Sequence, residues 1–159
     1  RISRQIIIVQ CTRAVNTIRC IHVVVPQNAE YEAGFQRWLM HVSRLARQMD
    51  CRIIFYSTDR AWERIERFCN KHYKTIRMSH VTFNNFSRLT ELSEEVHTDH
   101  LLVLIAAREN SLSYQPAIRR IPELLADSFS QCSKMLVFPD QYGVEHKMSS
   151  FNTGFPSGN

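Results

Sequence analysis

Short continuous apolar runs alternate with longer amphipathic ones along most of this chain, which predicts β-α-β units around a parallel sheet. Ile21 to Val25 is apolar apart from His22 and stops at Pro26, the pattern of a strand buried on both faces. Asn28 is placed to cap the next segment, where Phe35, Trp38, Leu39, Val42, Leu45, Ala46 and Met49 follow helical spacing. Arg52 to Ser57 reads as a second strand. Asp59 is the expected N-cap of a helix that buries Trp62, Ile65, Phe68 and Cys69.

Thr75 to Phe83 alternates, with Ile76, Met78, His80 and Thr82 on one face, and reads as an edge strand. A short helix carrying Leu89, Leu92 and Val96 is expected after a Ser87 cap, and then a continuously apolar, central strand at Leu101 to Ile105. Pro116 and Pro122 interrupt the next helical segment. Because proline belongs in a helix's first turn, the main helix should begin near Ile121. Met135 to Phe138 is the last predicted strand, and beyond Gly143 the chain is polar and tail-like. The opening strand, Gln5 to Cys11, stands outside this alternation. Thr12 to Thr17 is too short for a crossover helix, so that strand is expected either antiparallel at a sheet edge or as part of a preceding domain.

Composition narrows the class. At 159 residues the chain is the size of one domain. No run approaches the roughly 20 apolar residues that span a bilayer. The start, Arg1-Ile2-Ser3-Arg4, leads straight into a strand-like run without a secretory signal, and the missing initiator methionine reads as a piece of a longer protein. Five cysteines, odd in number and mostly inside apolar runs, fit buried thiols better than a disulfide framework. A net charge of +5 is modest and argues against a dedicated nucleic-acid binder.

Four stretches carry a family likeness: Cys20 to Gly34 (CIHVVVPQNAEYEAG), Cys51 to Ser57 (CRIIFYS), His100 to Pro116 (HLLVLIAARENSLSYQP) and Met135 to Gly143 (MLVFPDQYG). Together they resemble the cytoplasmic C-terminal region of bacterial monovalent cation:proton antiporters of the sodium/hydrogen exchanger type. In that family the region is similar to tandem universal stress protein domains. The likeness spans Gln5 to Gly143. It implies a flavodoxin-like three-layer α/β sandwich, with a mostly parallel five-stranded sheet and an extra N-terminal strand at its edge. It also implies three regions: 1–17 as the end of a preceding repeat, 18–143 as the stress-protein-like domain, and 144–159 as a polar tail. Stress-protein domains pair through their last strands, so Ile6 to Val9 is expected beside Met135 to Phe138. The implied partners are the transmembrane part of the same polypeptide and a second copy or preceding repeat. The implied address is the cytoplasmic face of the inner membrane.

The same resemblance frames the ligand question. Stress proteins that bind ATP carry spaced glycines after the fourth strand, where backbone amides can approach phosphate. This chain has Ala106, Glu109 and Arg119-Arg120 at those places, and Pro26-Gln27 where an acidic residue is expected. ATP or AMP is therefore disfavoured and no cofactor is expected. The crevice should persist at the carboxyl ends of the strands, with Gln27, Asn28, Arg108, Ser111 and Ser113 as its candidate residues. Arg60, Arg64, Arg67, Lys71 and Lys74 form a basic stripe, ordinarily a solvated face and, beneath a membrane, a contact for anionic lipid. Seven histidines raise metal binding and proton sensing. Cys69 with His72 and His97 with His100 do not make the paired ligand sets of a structural zinc site, so no metal is expected. Lys147-Met148-Ser149-Ser150 resembles a loop of class I aminoacyl-tRNA synthetases, whose matching histidine loop is absent after the first crossover strand. No catalytic signature is present, and a regulatory or scaffolding role is expected.

Overall fold

The computed structural model describes residues 4–107 and 112–139. The expected tail, its Lys147 to Ser150 motif, and the crevice candidates Arg108 and Ser111 lie outside the described residues.

Six strands form one sheet: β1 (Ile6–Gln10), β2 (Cys20–Val24), β3 (Arg52–Ser57), β4 (Met78–Thr82), β5 (His100–Ile105) and β6 (Ser133–Phe138). Their order is β1-β6-β5-β2-β3-β4. Every neighbouring pair is parallel except β1 with β6, where Ile6 faces Phe138 and Gln10 faces Lys134 in antiparallel register. This is the mostly parallel sheet with an added N-terminal edge strand that the sequence predicted. The short link after β1 explains the direction of that strand, since a parallel return needs a crossover of a dozen residues or more.

Helices α1 (Phe35–Met49) and α2 (Asp59–His72) cover one face of the sheet. Trp38, Leu39, Val42, Ile65 and Cys69 pack there against Ile21, Val23, Ile53, Phe55, Leu101 and Val103. The opposite face is covered by a 3-10 segment at Phe86–Glu94, a second at Pro116–Arg120, and helix α3 (Ile121–Ser128). Phe86, Leu89, Ile118, Ile121 and Phe129 pack there against Val24, Tyr56, Leu102 and Leu104. Strands β2 and β5, sandwiched between two apolar layers, are buried along their whole length. The start of α3 at Ile121, with Pro122 in its first turn, is as the proline rule requires.

Four local expectations are corrected. Thr58, rather than Asp59, caps α2, because its side chain accepts from the Ala61 amide at 3.2 Å. Asp59 instead accepts from the Thr82 hydroxyl at 2.8 Å, tying α2 to β4. Asn85, rather than Ser87, caps the segment after β4, and that segment is 3-10 instead of α-helical. Asn28 takes a left-handed conformation (φ 70°) before a short 3-10 turn at Ala29–Tyr31 and makes no side-chain cap bond; α1 begins seven residues later at Phe35. Cys20, Cys51, Cys69 and Cys132 are buried free thiols and Cys11 is an exposed one. Among the described residues no helix is long and apolar enough to cross a membrane.

Candidate functional site

The strand order reverses between β2 and β5, so the crevice of a doubly wound sheet opens beyond their carboxyl ends. Gln27 and Asn28 are exposed there, on the loop after β2. Across the gap, Ser113 is buried and its backbone amide donates to Glu32 Oε1 at 2.8 Å. Asn28 Nδ2 also reaches the Leu112 carbonyl at 3.5 Å. The structure therefore brings Asn28 and Ser113 to one crevice, and there the Ser113 amide is taken up by the protein's own carboxylate. A carboxylate there repels an anionic ligand and satisfies the donor such a ligand needs. Glu32 was not singled out from sequence, because its role depends on a loop more than eighty positions away in the chain.

The basic stripe is present on α2. Arg60, Arg64, Arg67 and Lys71 are exposed along one side of it, whereas Lys74 lies past the helix end. Arg60 donates to the Tyr31 hydroxyl at 3.3 Å, and the Arg64 guanidinium lies 5.8 Å over the Phe35 ring. These two cations are partly occupied with the helix they flank. Of the pairs considered from sequence, His97 and His100 come together with Asp99, their potential ligand atoms within 4.8 Å of one another, whereas Cys69 and His72 do not meet. Cys69 is buried against the Ser43 hydroxyl at 3.6 Å, while His72 is exposed and packs on Phe68.

The unusual chemistry lies elsewhere in the sheet. Parallel pairing sets Cys20 beside His100 and Val24 beside Tyr56, so Cys20, His22, Tyr56 and His100 share the face covered by α3 and the 3-10 segments. His22 is 2% and His100 8% exposed. His22 Nδ1 lies 2.8 Å from the Tyr56 hydroxyl, and His22 Nε2 lies 2.8 Å from His100 Nδ1. His100 Nδ1 also accepts from the backbone amide of His97 at 3.2 Å, and its Nε2 is 3.7 Å from Asp99 Oδ1.

The hydrogens of this chain follow from the one donor whose proton is fixed, the His97 amide. Because that amide donates to His100 Nδ1, the nitrogen bears a lone pair and the His100 proton sits on Nε2, facing Asp99. His22 Nε2 must then be the donor to His100 Nδ1, and His22 Nδ1 accepts from the Tyr56 hydroxyl. Every bond points the same way, from Tyr56 outward. Burial, reinforced by His100, Arg52 and His97, pushes the His22 pKa down to about 3. Burial also lowers His100, against the opposing pull of Asp99. Desolvation raises the Tyr56 phenol to about 12. Both imidazoles are therefore neutral and the phenol is protonated at neutral pH.

Cys20, His22 and His100 also bring potential metal ligands within 4.8 Å of one another. Distance decides the reading. Two nitrogens bound at about 2.0–2.1 Å to a tetrahedral zinc sit about 3.3 Å apart. The His22–His100 contact of 2.8 Å is a hydrogen bond, with a proton between the rings. The sequence signal for the cluster was one polar residue inside an otherwise apolar buried strand, His22, which must find a partner. Its partners could not be named without the strand register.

No protein-family model, no curated protein and no solved structure matches this chain.

Proposed function

We propose that this chain is a non-enzymatic regulatory or scaffolding cytoplasmic domain of a monovalent cation:proton antiporter, carrying a degenerate nucleotide crevice. The observation that supports it best is the Glu32 carboxylate on the Ser113 amide, which occupies a backbone donor of the crevice from within. A fold that keeps the crevice but answers it with its own anion is suited to transmitting contacts rather than turning over a ligand.

The β1 edge fits the rest of the reading. Ile7, Ile8 and Val9 are 40%, 55% and 51% exposed, and no proline or charged residue interrupts the strand. Beneath it runs a groove of about 290 Å³ lined by Ile7, Trp38, Val42, Met135 and Val137. The Trp38 indole N–H, buried nearby, has no partner among the described residues. A preceding repeat of the same polypeptide is the proposed cover for this edge, with a second copy of the chain as the alternative. The α2 stripe would face anionic lipid at the inner membrane surface.

The experiment compares cation-driven proton exchange in membrane vesicles by the whole parent protein and by the same protein lacking this domain. Exchange that loses its regulation, with the transmembrane part still inserted, supports the reading; identical exchange overturns it. Calorimetric titration with ATP, ADP and AMP addresses the competing reading, an adenine-nucleotide-binding stress protein. Micromolar binding would establish that alternative over the crevice argument.

A further inference from the structure

The hydrogen-bond chain on the α3-covered face of the sheet has a property that its two histidines would not have singly. Tyr56 gives its proton to His22 Nδ1, His22 gives its own to His100 Nδ1, and both imidazole lone pairs are consumed. His100 Nδ1 is doubly claimed, since the His97 amide also points at it. A proton added to His22 Nδ1 is met by rotation of the Tyr56 hydroxyl, whose oxygen then accepts, but a proton added to His100 Nδ1 meets the His97 amide, which can only donate. To protonate His100 at Nδ1, the contact with the His97 amide must open.

We propose that Tyr56, His22 and His100 form an acid-released latch, which holds the turn before β5 against β2 and β3 and lets go when an imidazole takes up a proton. The turn concerned runs over residues 95–99, between the Phe86–Glu94 segment and β5. Besides the latch, it is held by Arg19 N to the Asp99 carbonyl at 2.9 Å, by an exposed Arg19–Asp99 ion pair at 3.6 Å, by the Glu95 and Val96 amides on the Leu92 carbonyl, and by Val96 buried in the core. The latch is the part of this attachment that titrates.

The surrounding charges bias the latch without replacing it. From β2, the Cys20 thiol adjoins the pair, its own ionisation suppressed by burial. From β3, Arg52 disfavours a second positive charge on both rings. From the turn, His97 stacks on His100 at 4.7 Å and also opposes charging. Asp99 and the Glu95 carbonyl favour the imidazolium at His100, so acid attack should begin at that outer ring. Once His100 Nδ1 carries a proton it faces the His97 amide, which is also a donor, and that contact turns repulsive, whereas His22 can take its other tautomer and accept at Nε2. This device would operate whether or not the chain is attached to a transporter.

Backbone hydrogen exchange of the wild-type chain at pH 7.5 and pH 5.5, corrected for intrinsic rates, tests the latch. Each histidine held neutral when closed and free to ionise when open should raise the open population about tenfold over that interval. The amides of Arg19, His97 and His100 are therefore expected to lose about 10- to 100-fold of their protection, while those in the middle of α1 lose none. Unchanged protection at the turn would overturn the proposal. So would an equal loss throughout the molecule, which signals general acid unfolding. His22→Leu should remove about a tenfold share of the pH effect, and His72→Gln, on an exposed histidine, should remove none. A pH effect of full size in His22→Leu would also overturn the latch.

Discussion

The two ends of the sheet treat buried polarity in opposite ways. At the carboxyl end, where folds of this kind receive ligands, a fixed carboxylate meets a fixed amide: Glu32 accepts from Ser113 N–H. From Tyr56 near the carboxyl end of β3, through His22 in the middle of β2, to His100 at the amino end of β5, a phenol and two imidazoles are threaded across the face that such folds ordinarily leave to packing. The end expected to be chemical spends a backbone donor on the protein's own side chain, and the face expected to be inert holds the titratable machinery. Strand-end position alone therefore does not locate function in this fold; the protonation chemistry of what is buried there does.

The largest expected effect comes from acid. A histidine whose folded pKa lies below its unfolded value is less protonated in the native state than in the unfolded one, so stability is full above the unfolded pKa and falls as pH drops below it. For His22 the window runs from 6.5 down to about 3. The loss approaches about 1.4 kcal/mol per pH unit, or about 2 kcal/mol by pH 5 from this residue alone. Urea unfolding at pH 7.5 and pH 5 measures it, and a curve that stays flat across that interval would remove the contrast between the two ends.

Next in size is Tyr56→Phe. It leaves His22 Nδ1 buried and unpaired, at a cost of about 1–3 kcal/mol at pH 7.5. It also removes the oxygen that can accept from a protonated His22 Nδ1, so a charged ring would be buried with one N–H unpaired. The variant should therefore begin to protonate at lower pH than the wild type, a shift visible in the imidazole proton resonances. A loss of stability with no change in titration would mean that the phenol only packs.

At the other end, Glu32→Ala removes a charged acceptor from a half-buried amide. About 1–2 kcal/mol should be lost at pH 7.5, with the dependence on pH between 7.5 and 5.5 left as in the wild type. Chemical denaturation of both proteins at the two pH values reads this directly. If the variant changed that dependence, the two ends would be coupled through β2 and β5 and could not be treated as separate.

Much of the scaffold was legible because it depends on local rules. The runs at 21–25, 52–57 and 101–105 could only be buried strands, Pro122 placed the start of α3, and the short link after β1 dictated its antiparallel direction. The site was legible only as an anomaly. His22 stood out within its strand, but its meaning depended on His100 and Tyr56, seventy-eight and thirty-four positions away, and on a register that puts them on one face. Glu32 was hidden for the same reason. Cap residues failed more locally: Thr58 and Asp59 are both competent caps, and tertiary demand from Thr82 chose between them.

The smallest effect is expected at Asn28, and it tests how firmly the closed crevice is built. Its backbone is left-handed at φ 70°, a conformation that glycine adopts without the clash a Cβ introduces. Asn28→Gly thus gains a little in the native state and loses a little through the greater freedom of the unfolded chain. It also forfeits the bond from Nδ2 to the Leu112 carbonyl, which at 3.5 Å and in solvent contributes little. These contributions should cancel to within about 0.5 kcal/mol, leaving the thermal midpoint nearly unmoved. A loss well above that would mean that the Asn28–Leu112 contact is a strut working with Glu32 and Ser113. The crevice would then be a second built lock, and the contrast between the ends would reduce to one between a lock of imidazoles and a lock of a carboxylate on an amide.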